Sequence, residues 1–393
     1  MFFKKNKKEK IIAVIEISSS SIGGVIFEQK KGGSPKILSL VRSPINFLFD
    51  VNFDAFWRCT LAALEKTTTE LLRDYPSGPD ECLCVFLSPW FTPRTAVINI
   101  ERERAVKIDK KIFQEVKRSE EEQFKKHWSS SPINTNREPE FIEHEITSVE
   151  LNGYYTKMPI GKTARHIKIY LFMSLGVKNV LESIRSFLFK NFGDIPIKMT
   201  TFPLLSFSYF AYNMDLERGF ILVDIGGEIT DISLFRKNNI EEIISFPKGR
   251  NFLLRKIGAR LKTFPQEAQS LLYAYFKDHI LDEGGQKISA VIDETREEWG
   301  KSFKAGLQKI SSFKPLPQNI LFIGEDLINK EFIKYIELNK EEFKKFTVLG
   351  QPFQIQNITF EDLSHSVVFG LKRQADSRDV FLLMESLFAN KTL

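Results

Sequence analysis

The sequence predicts a mixed α/β protein of two or three domains, and three observations carry that expectation. The chain has 393 residues, too many for one small core. Two well-separated runs share one layout, in which an apolar strand reaches an acid, turns over small residues and starts a second strand. A third run, from Asn319 to Leu327, is a strand closed by a turn at Gly324 and followed by a helix-like segment. The most informative of the three opens at Gly219. There Phe220-Ile221-Leu222-Val223 leads to Asp224, Gly226-Gly227 make a tight turn, and Asp231 opens an alternating stretch. Backbone N–H groups at such a glycine tip can point at phosphate oxygens, and Asp224 can hold a Mg²⁺-bound water. An ordinary hairpin with a Gly-Gly turn is the alternative.

Taken in order, residues 1–10 form a basic tail headed by Phe2 and Phe3, either solvated or in loose contact with an anionic membrane surface. Residues 11–80 read as strands followed by a helix over 53–75. Strands over 82–87 and 95–101, a helix over 109–126, a polar loop over 128–139 and strands over 143–151 and 166–174 make an α+β module. Asn152-Gly153 suits a tight turn, because both residues accept positive φ. A helix over 177–191 and a strand over 195–201 follow, and the uncharged stretch 199–214 contains Pro203 and falls short of a membrane span. Amphipathic helices are expected over 265–280 and 287–313, with Gly284-Gly285 as the break between them. At the C-terminus, Val380, Leu383, Met384, Leu387 and Phe388 fall on one helical face.

Composition narrows the function classes. An apolar fraction of 42% fits a globular protein, and 36 phenylalanines promise an aromatic interior. The net charge of +6 arises from lysines mixed with glutamates, so no basic stripe points to nucleic acid. Cys59, Cys82 and Cys84 form no CxxC pair, and His127, His144, His166, His279 and His365 are scattered, so reduced buried thiols in a cytosolic protein are expected and no metal site is. No secretory signal is visible at the start.

The segments Glu16-Ile17-Ser18-Ser19-Ser20-Ser21-Ile22, Asp224-Ile225-Gly226-Gly227-Glu228-Ile229-Thr230-Asp231-Ile232 and Asn319 to Asp326 resemble, in order and spacing, the two phosphate motifs and the adenosine motif of the actin-like ATPases. The resemblance is nearest to the branch holding the cell-division protein FtsA and the pilus protein PilM, and it covers roughly residues 11–375. It implies a two-lobed actin-like, ribonuclease H-like fold with an inserted α+β SHS2 (1C) domain. Lobe 1 would take 11–80 and 178–216, the insert 81–177, lobe 2 217–250 and 315–376, a helical subdomain 2B 251–314, and an amphipathic tail 377–393. Three further segments match the family: the turn and P-x-G stretch over 149–162, Phe246-Pro247-Lys248-Gly249-Arg250 after the second hairpin, and a late helix over 365–371.

The departures from the family pattern run one way. Glu16 replaces an aspartate, Ser18 and Glu228 replace glycines, Glu325 replaces a glycine in the adenosine motif, and Leu272 stands where a nucleoside-contacting lysine is common. A carboxylate about 6 Å from a phosphate charge costs on the order of 3 kcal/mol at an effective dielectric near 20. Weak or absent ATP binding and negligible hydrolysis are therefore expected. If ATP and Mg²⁺ bind, the resemblance assigns the nucleotide to Ser19, Ser20, Gly226, Gly227, Gly249 and Gly324, and the metal-bound water to Glu16 and Asp224. No residue is assigned to catalysis.

The resemblance implies a division scaffold of the FtsA type on the inner face of the cytoplasmic membrane. It would bind the FtsZ C-terminal tail and later division proteins and self-associate into filaments. Arg255, Lys256, Arg260 and Lys262 are candidate partners for an acidic tail, with a solvated helix face as the alternative. The C-terminal face would bind membrane, a partner or the protein itself; it carries few basic residues for a membrane helix. A PilM-like pilus or secretion scaffold, gripping a short peptide of a membrane protein, is the second reading. An active ATPase or sugar kinase of the superfamily is the third, and no acceptor pocket or catalytic acid is evident for it.

Overall fold

The computed structural model describes residues 9–46, 52–131, 137–213, 217–280, 283–312, 314–370 and 376–393. All but the last two residues of the basic tail, together with Leu371 of the expected late helix, lie outside them.

Lobe 1 begins with β1 (Ile11–Ile17), β2 (Ser21–Glu28) and β3 (Lys36–Pro44), an antiparallel meander. α1 (Phe53–Asp74) follows, its first turn capped by the Asn52 side chain, which accepts from Asp54 N at 2.9 Å. β4 (Glu81–Phe86) then pairs parallel with β1, so residues 81–87 belong to lobe 1 and not to the insert. Every residue of β1 and β4 is buried, as expected of strands covered on both faces.

The inserted domain is β5 (Thr92–Lys107), α2 (Lys110–Ser130), β6 (Pro139–Leu151), β7 (Tyr154–Tyr155) and β8 (Thr163–Val177). Its sheet runs β5-β8-β6-β7. Asn152 and Gly153 take φ 51 and 85 in the β6–β7 turn, the positive values that this residue pair accepts. Two contacts pin the insert. Buried Glu143 on β6 accepts from Thr200 Oγ1 at 2.7 Å and Thr201 N at 3.0 Å in lobe 1, and Thr147 Oγ1 donates to Asn239 Oδ1 at 2.6 Å in lobe 2.

The chain returns through α3 (Lys178–Phe192), β9 (Ile197–Thr201) and α4 (Phe202–Asn213). Lobe 2 repeats the plan: a meander of β10 (Phe220–Ile225), β11 (Thr230–Arg236) and β12 (Asn239–Phe246), then helices α5 (Arg250–Leu261), α6 (Pro265–Phe276) and α7 (Glu283–Ser311), then β13 (Asn319–Gly324) parallel to β10. α8 (Asp326–Leu338), the short α9 (Lys340–Phe343) and β14 (Gln354–Ile358) complete it. The strand orders β3-β2-β1-β4-β9 and β12-β11-β10-β13-β14 are the same third-second-first-fourth-fifth sequence. Two lobes of one architecture thus face each other.

Two expectations are corrected. Gly284-Gly285 is no break: both residues sit in the first turn of α7, where a Cβ on Gly285 would lie 2.3 Å from the Ile280 carbonyl oxygen. The segment 365–371 is no late helix. A capped turn, α10 (Phe360–Ser364), precedes β15 (Val368–Phe369), which pairs with β3 and carries the chain back to lobe 1. Of the three alternatives for the C-terminal face, the protein itself is the one realised. α11 (Val380–Thr392) is buried on all sides, and its apolar residues join α4, β1 and β10 in one core spanning both lobes. Val380, Phe381, Leu382, Leu383, Met384 and Leu387 together contribute roughly 9–18 kcal/mol of gross burial, at ~1.5–3 kcal/mol per side chain. Among the described residues no helix is long and apolar enough to cross a membrane.

Candidate functional site

Because β1–β2 and β10–β11 are equivalent hairpins, their turns meet across the two lobes. The third turn, after β13, arrives beside them because β13 is parallel to β10. Glu16, Ser18, Ser20, Gly226, Gly324 and Glu325 all line one cleft. Ser19, Gly227 and Gly249 pack against the loops that carry these residues. Ser19 Oγ accepts from Glu228 N at 3.0 Å. A Cβ on Gly227 would lie 2.7 Å from Ser20 Cβ, and one on Gly249 would lie 2.4 Å from the Gly226 carbonyl oxygen. Only glycine permits these approaches, so the loops pack against each other directly. Of the residues that the resemblance assigns to nucleotide or metal, Glu16, Ser20, Gly226 and Gly324 line one interlobe cleft, Ser19, Gly227 and Gly249 pack against its loops, and Asp224 is buried within electrostatic reach of Glu16.

The cleft is occupied by the protein's own charges. Arg42, from β3, grips Glu16 bidentately at 2.8 Å through each nitrogen, donates to Asp379 Oδ1 at 2.8 Å, and reaches Ser21 Oγ and the Arg378 carbonyl. Burial alone would lower the Arg42 pKa, but Glu16 and Asp379 more than reverse this and hold it above its ordinary value. Arg250, at the start of α5, lies 3.4 Å from Glu325, which also accepts from the Tyr273 hydroxyl. Arg255 holds Glu228 at 2.6 and 2.7 Å, and Asn251 Nδ2 adds a bond at 2.7 Å. The three acids that depart from the family pattern, one per loop, are each answered by an arginine of this chain.

These contacts decide whether ATP and Mg²⁺ fit. The remaining cavity is about 20 Å³, enough for about one water, whereas ligand pockets run to ~300–1,000 Å³. The Gly226 N–H donates to the Ile229 carbonyl at 2.9 Å and the Glu228 N–H to Ser19, so the second loop presents neither donor to a phosphate. The N–H groups of Arg250 and Asn251 at the start of α5 donate to Gly226 and Gly227 carbonyls at 2.9 and 2.8 Å. Asp224 is buried with one carboxyl oxygen unpartnered; burial first, then Asp231 and Glu16, push its pKa well above the usual carboxylate range. Among the described residues no group of three or more His, Cys, Asp or Glu is placed to hold a metal. In this arrangement the residues do not fit a magnesium nucleotide.

A second concavity lies behind the same loops. It is a groove of about 550 Å³ between lobe 1 and the insert, lined by Phe53, Phe56, Trp90, Phe91 and Trp128, with Glu228 and Ile229 of the second loop at its rim. Trp90 stacks on Phe56 at 5.3 Å and donates its indole N–H to the Ser18 carbonyl at 3.2 Å, tying the groove wall to the first loop. Arg137 lies 5.2 Å over the Phe53 ring. Sequence reasoning found neither the groove nor the pairing of these arginines with the loop acids; it named Arg255 only as a contact for an acidic partner tail. The signal for the arginines was the unexplained acid in each loop.

A solved structure of a PilM–PilN type IV pilus biogenesis complex superposes on this chain with a TM-score of 0.61 at 14% identity, covering 97% of this chain and 98% of the matched one. The fold is actin-like. A Bacteroides thetaiotaomicron protein of actin-like ATPase fold and unknown function (TM-score 0.46, 11% identity, 99% of each chain) and the ethanolamine utilization protein EutJ from Carboxydothermus hydrogenoformans (0.45, 13%, 96% and 89%) are also similar, too distantly to carry an argument. No family model matches the chain. No curated protein matches it at the sequence level. At 14% identity the likeness to the pilus complex shows the fold alone.

Proposed function

We propose that this chain is a non-catalytic actin-fold scaffold that grips a short segment of a partner protein in the aromatic groove between lobe 1 and the insert. The observation that carries the reading is the arginine set in the cleft. With Arg42, Arg250 and Arg255 each neutralising a loop acid of its own lobe, the cleft is filled by the chain's own side chains, and phosphoryl chemistry has no room. An active ATPase or kinase is disfavoured on the same ground. The groove supplies what a scaffold needs: a concave aromatic surface of ligand-pocket size.

A PilM-like pilus or secretion role fits better than a division role. An FtsA-type anchor needs a C-terminal helix free to reach the membrane, and α11 is core. Arg255, Lys256 and Arg260, the candidates for the FtsZ tail, meet Glu228, Glu298 and Glu294 of this chain. The division reading keeps one supporting feature, the Asn152-Gly153 turn and the Pro159 to Gly161 segment of the insert, which match the SHS2 pattern. In the pilus reading, membrane attachment comes through the gripped partner.

Fluorescence anisotropy with labelled peptides separates the readings. A PilN-type N-terminal peptide should bind the full chain, and Phe53→Ala, at the open end of the groove, should weaken it about tenfold. Binding of an FtsZ tail peptide in its place would install the division role. Binding of neither would remove the scaffold reading.

A further inference from the structure

We infer that the inserted domain carries a second docking site, for an acidic, apolar-flanked segment of a partner protein. The site is a trough of about 520 Å³ between α2 and the β6–β7 hairpin, on the insert's own helix and strands and sharing no lining residue with the aromatic groove. Phe113 from α2, Ile146 and Val149 from β6, and Ile160 beyond β7 give it an apolar lining. Lys110, Lys117 and Lys157 stand along it, and no acidic residue lines it. None of these lysines forms an ion pair among the described residues, although lysines elsewhere on this surface do, as Lys111 does with Glu115.

A further observation points to an occupant. Ser148 is 4% exposed, lines the trough, and its hydroxyl has no hydrogen-bond partner. A buried hydroxyl left unpaired costs about 1–3 kcal/mol, so such groups ordinarily have a partner. A bound peptide would supply one through its backbone. Unpaired lysines over an apolar floor select a segment whose carboxylates meet the ammonium groups while its apolar side chains fill the trough. The concavity favours a peptide over a bilayer, because the apolar groups line a depression of ligand-pocket size and a flat membrane would leave it empty. The site goes beyond the groove proposed above. A scaffold with two separate docking surfaces can join two partners.

The test uses the full chain and a phage-displayed random dodecapeptide library, counter-selected against Lys117→Glu/Lys157→Glu. Lys157 is exposed and Lys117 half-buried, and an unchanged melting temperature verifies the fold of the variant. The expected result is a set of net-negative peptides with two or more large apolar residues. As free labelled peptides these should lose at least tenfold in affinity on the double charge reversal and about threefold on Ser148→Ala. Selection of basic or uncharged peptides, or affinities unmoved by the charge reversal, would overturn the proposal. Co-sedimentation with phosphatidylserine vesicles that is abolished by the reversal, with no reversal-sensitive peptide recovered, would overturn it in favour of a membrane surface.

Discussion

Arg42→Met puts the central ion-pair cluster to a quantitative test. The guanidinium is 4% exposed and makes two bonds to Glu16, one to Asp379, one to Ser21 and one to a backbone carbonyl. Methionine fills much of the volume but leaves Glu16 and Asp379, both 1% exposed, without their cation. Removing one partner of a buried pair typically costs about 3–5 kcal/mol, because the remaining charge is stranded. With ~2 °C per kcal/mol as the lower end of the range for large chains, the melting temperature should fall by about 6–10 °C. The triple variant Arg42→Met/Glu16→Gln/Asp379→Asn removes the stranded charges and should recover most of that loss. Thermal and urea unfolding of wild type, single and triple variants gives the answer. A single variant within about 0.5 kcal/mol of wild type, or a triple variant no better than the single, would refute the clamp.

Other outcomes follow from the same geometry. Leu382→Ala in α11 should cost about 2–5 kcal/mol, as expected for a buried leucine, and deletion of residues 380–393 should yield aggregated protein rather than a folded chain that has lost vesicle binding; a folded, soluble deletion would place α11 outside the core. Glu143 is pushed up to about 7, by burial first, with hydrogen bonds from Thr201, Thr200 and Ser174 opposing the rise. Its folded pKa thus lies above the unfolded value near 4.5, so the protonated form favours the native state. The associated stability is complete below about pH 4.5 and is lost as pH rises through about 7, a change on the order of 3 kcal/mol. Glu143→Gln should flatten that slope in melting temperature between pH 5 and 7, and an unchanged slope would assign it to other groups.

The strands and loops were legible because their signals are local. A continuous apolar run, a terminal acid and small turn residues mark each hairpin, and the repeated layout of β1–β2 and β10–β11 foretold two equivalent lobes. What closes the cleft was not legible. Arg42 lies 26 residues beyond Glu16, and Arg250 lies 75 residues before Glu325, so only the folded chain pairs them. The C-terminal helix shows how a correct periodicity can leave the surface it packs on undecided. Its i, i+3, i+4 face is real, but Phe381 and Leu382 fill the other side, and a helix apolar all round belongs in a core. Similarly, Gly285 is present for close approach to the Ile280 carbonyl, which a single sequence does not distinguish from a helix break.

Isothermal titration of the full chain with Mg-ATP tests the closed cleft most directly. A cavity of about 20 Å³ walled by the Arg42–Glu16 and Arg250–Glu325 pairs predicts no saturable heat up to millimolar nucleotide. Stoichiometric binding at low-micromolar affinity would mean that the lobes open and the pairs yield to a ligand, and the account of this chain as a self-closed scaffold would be wrong.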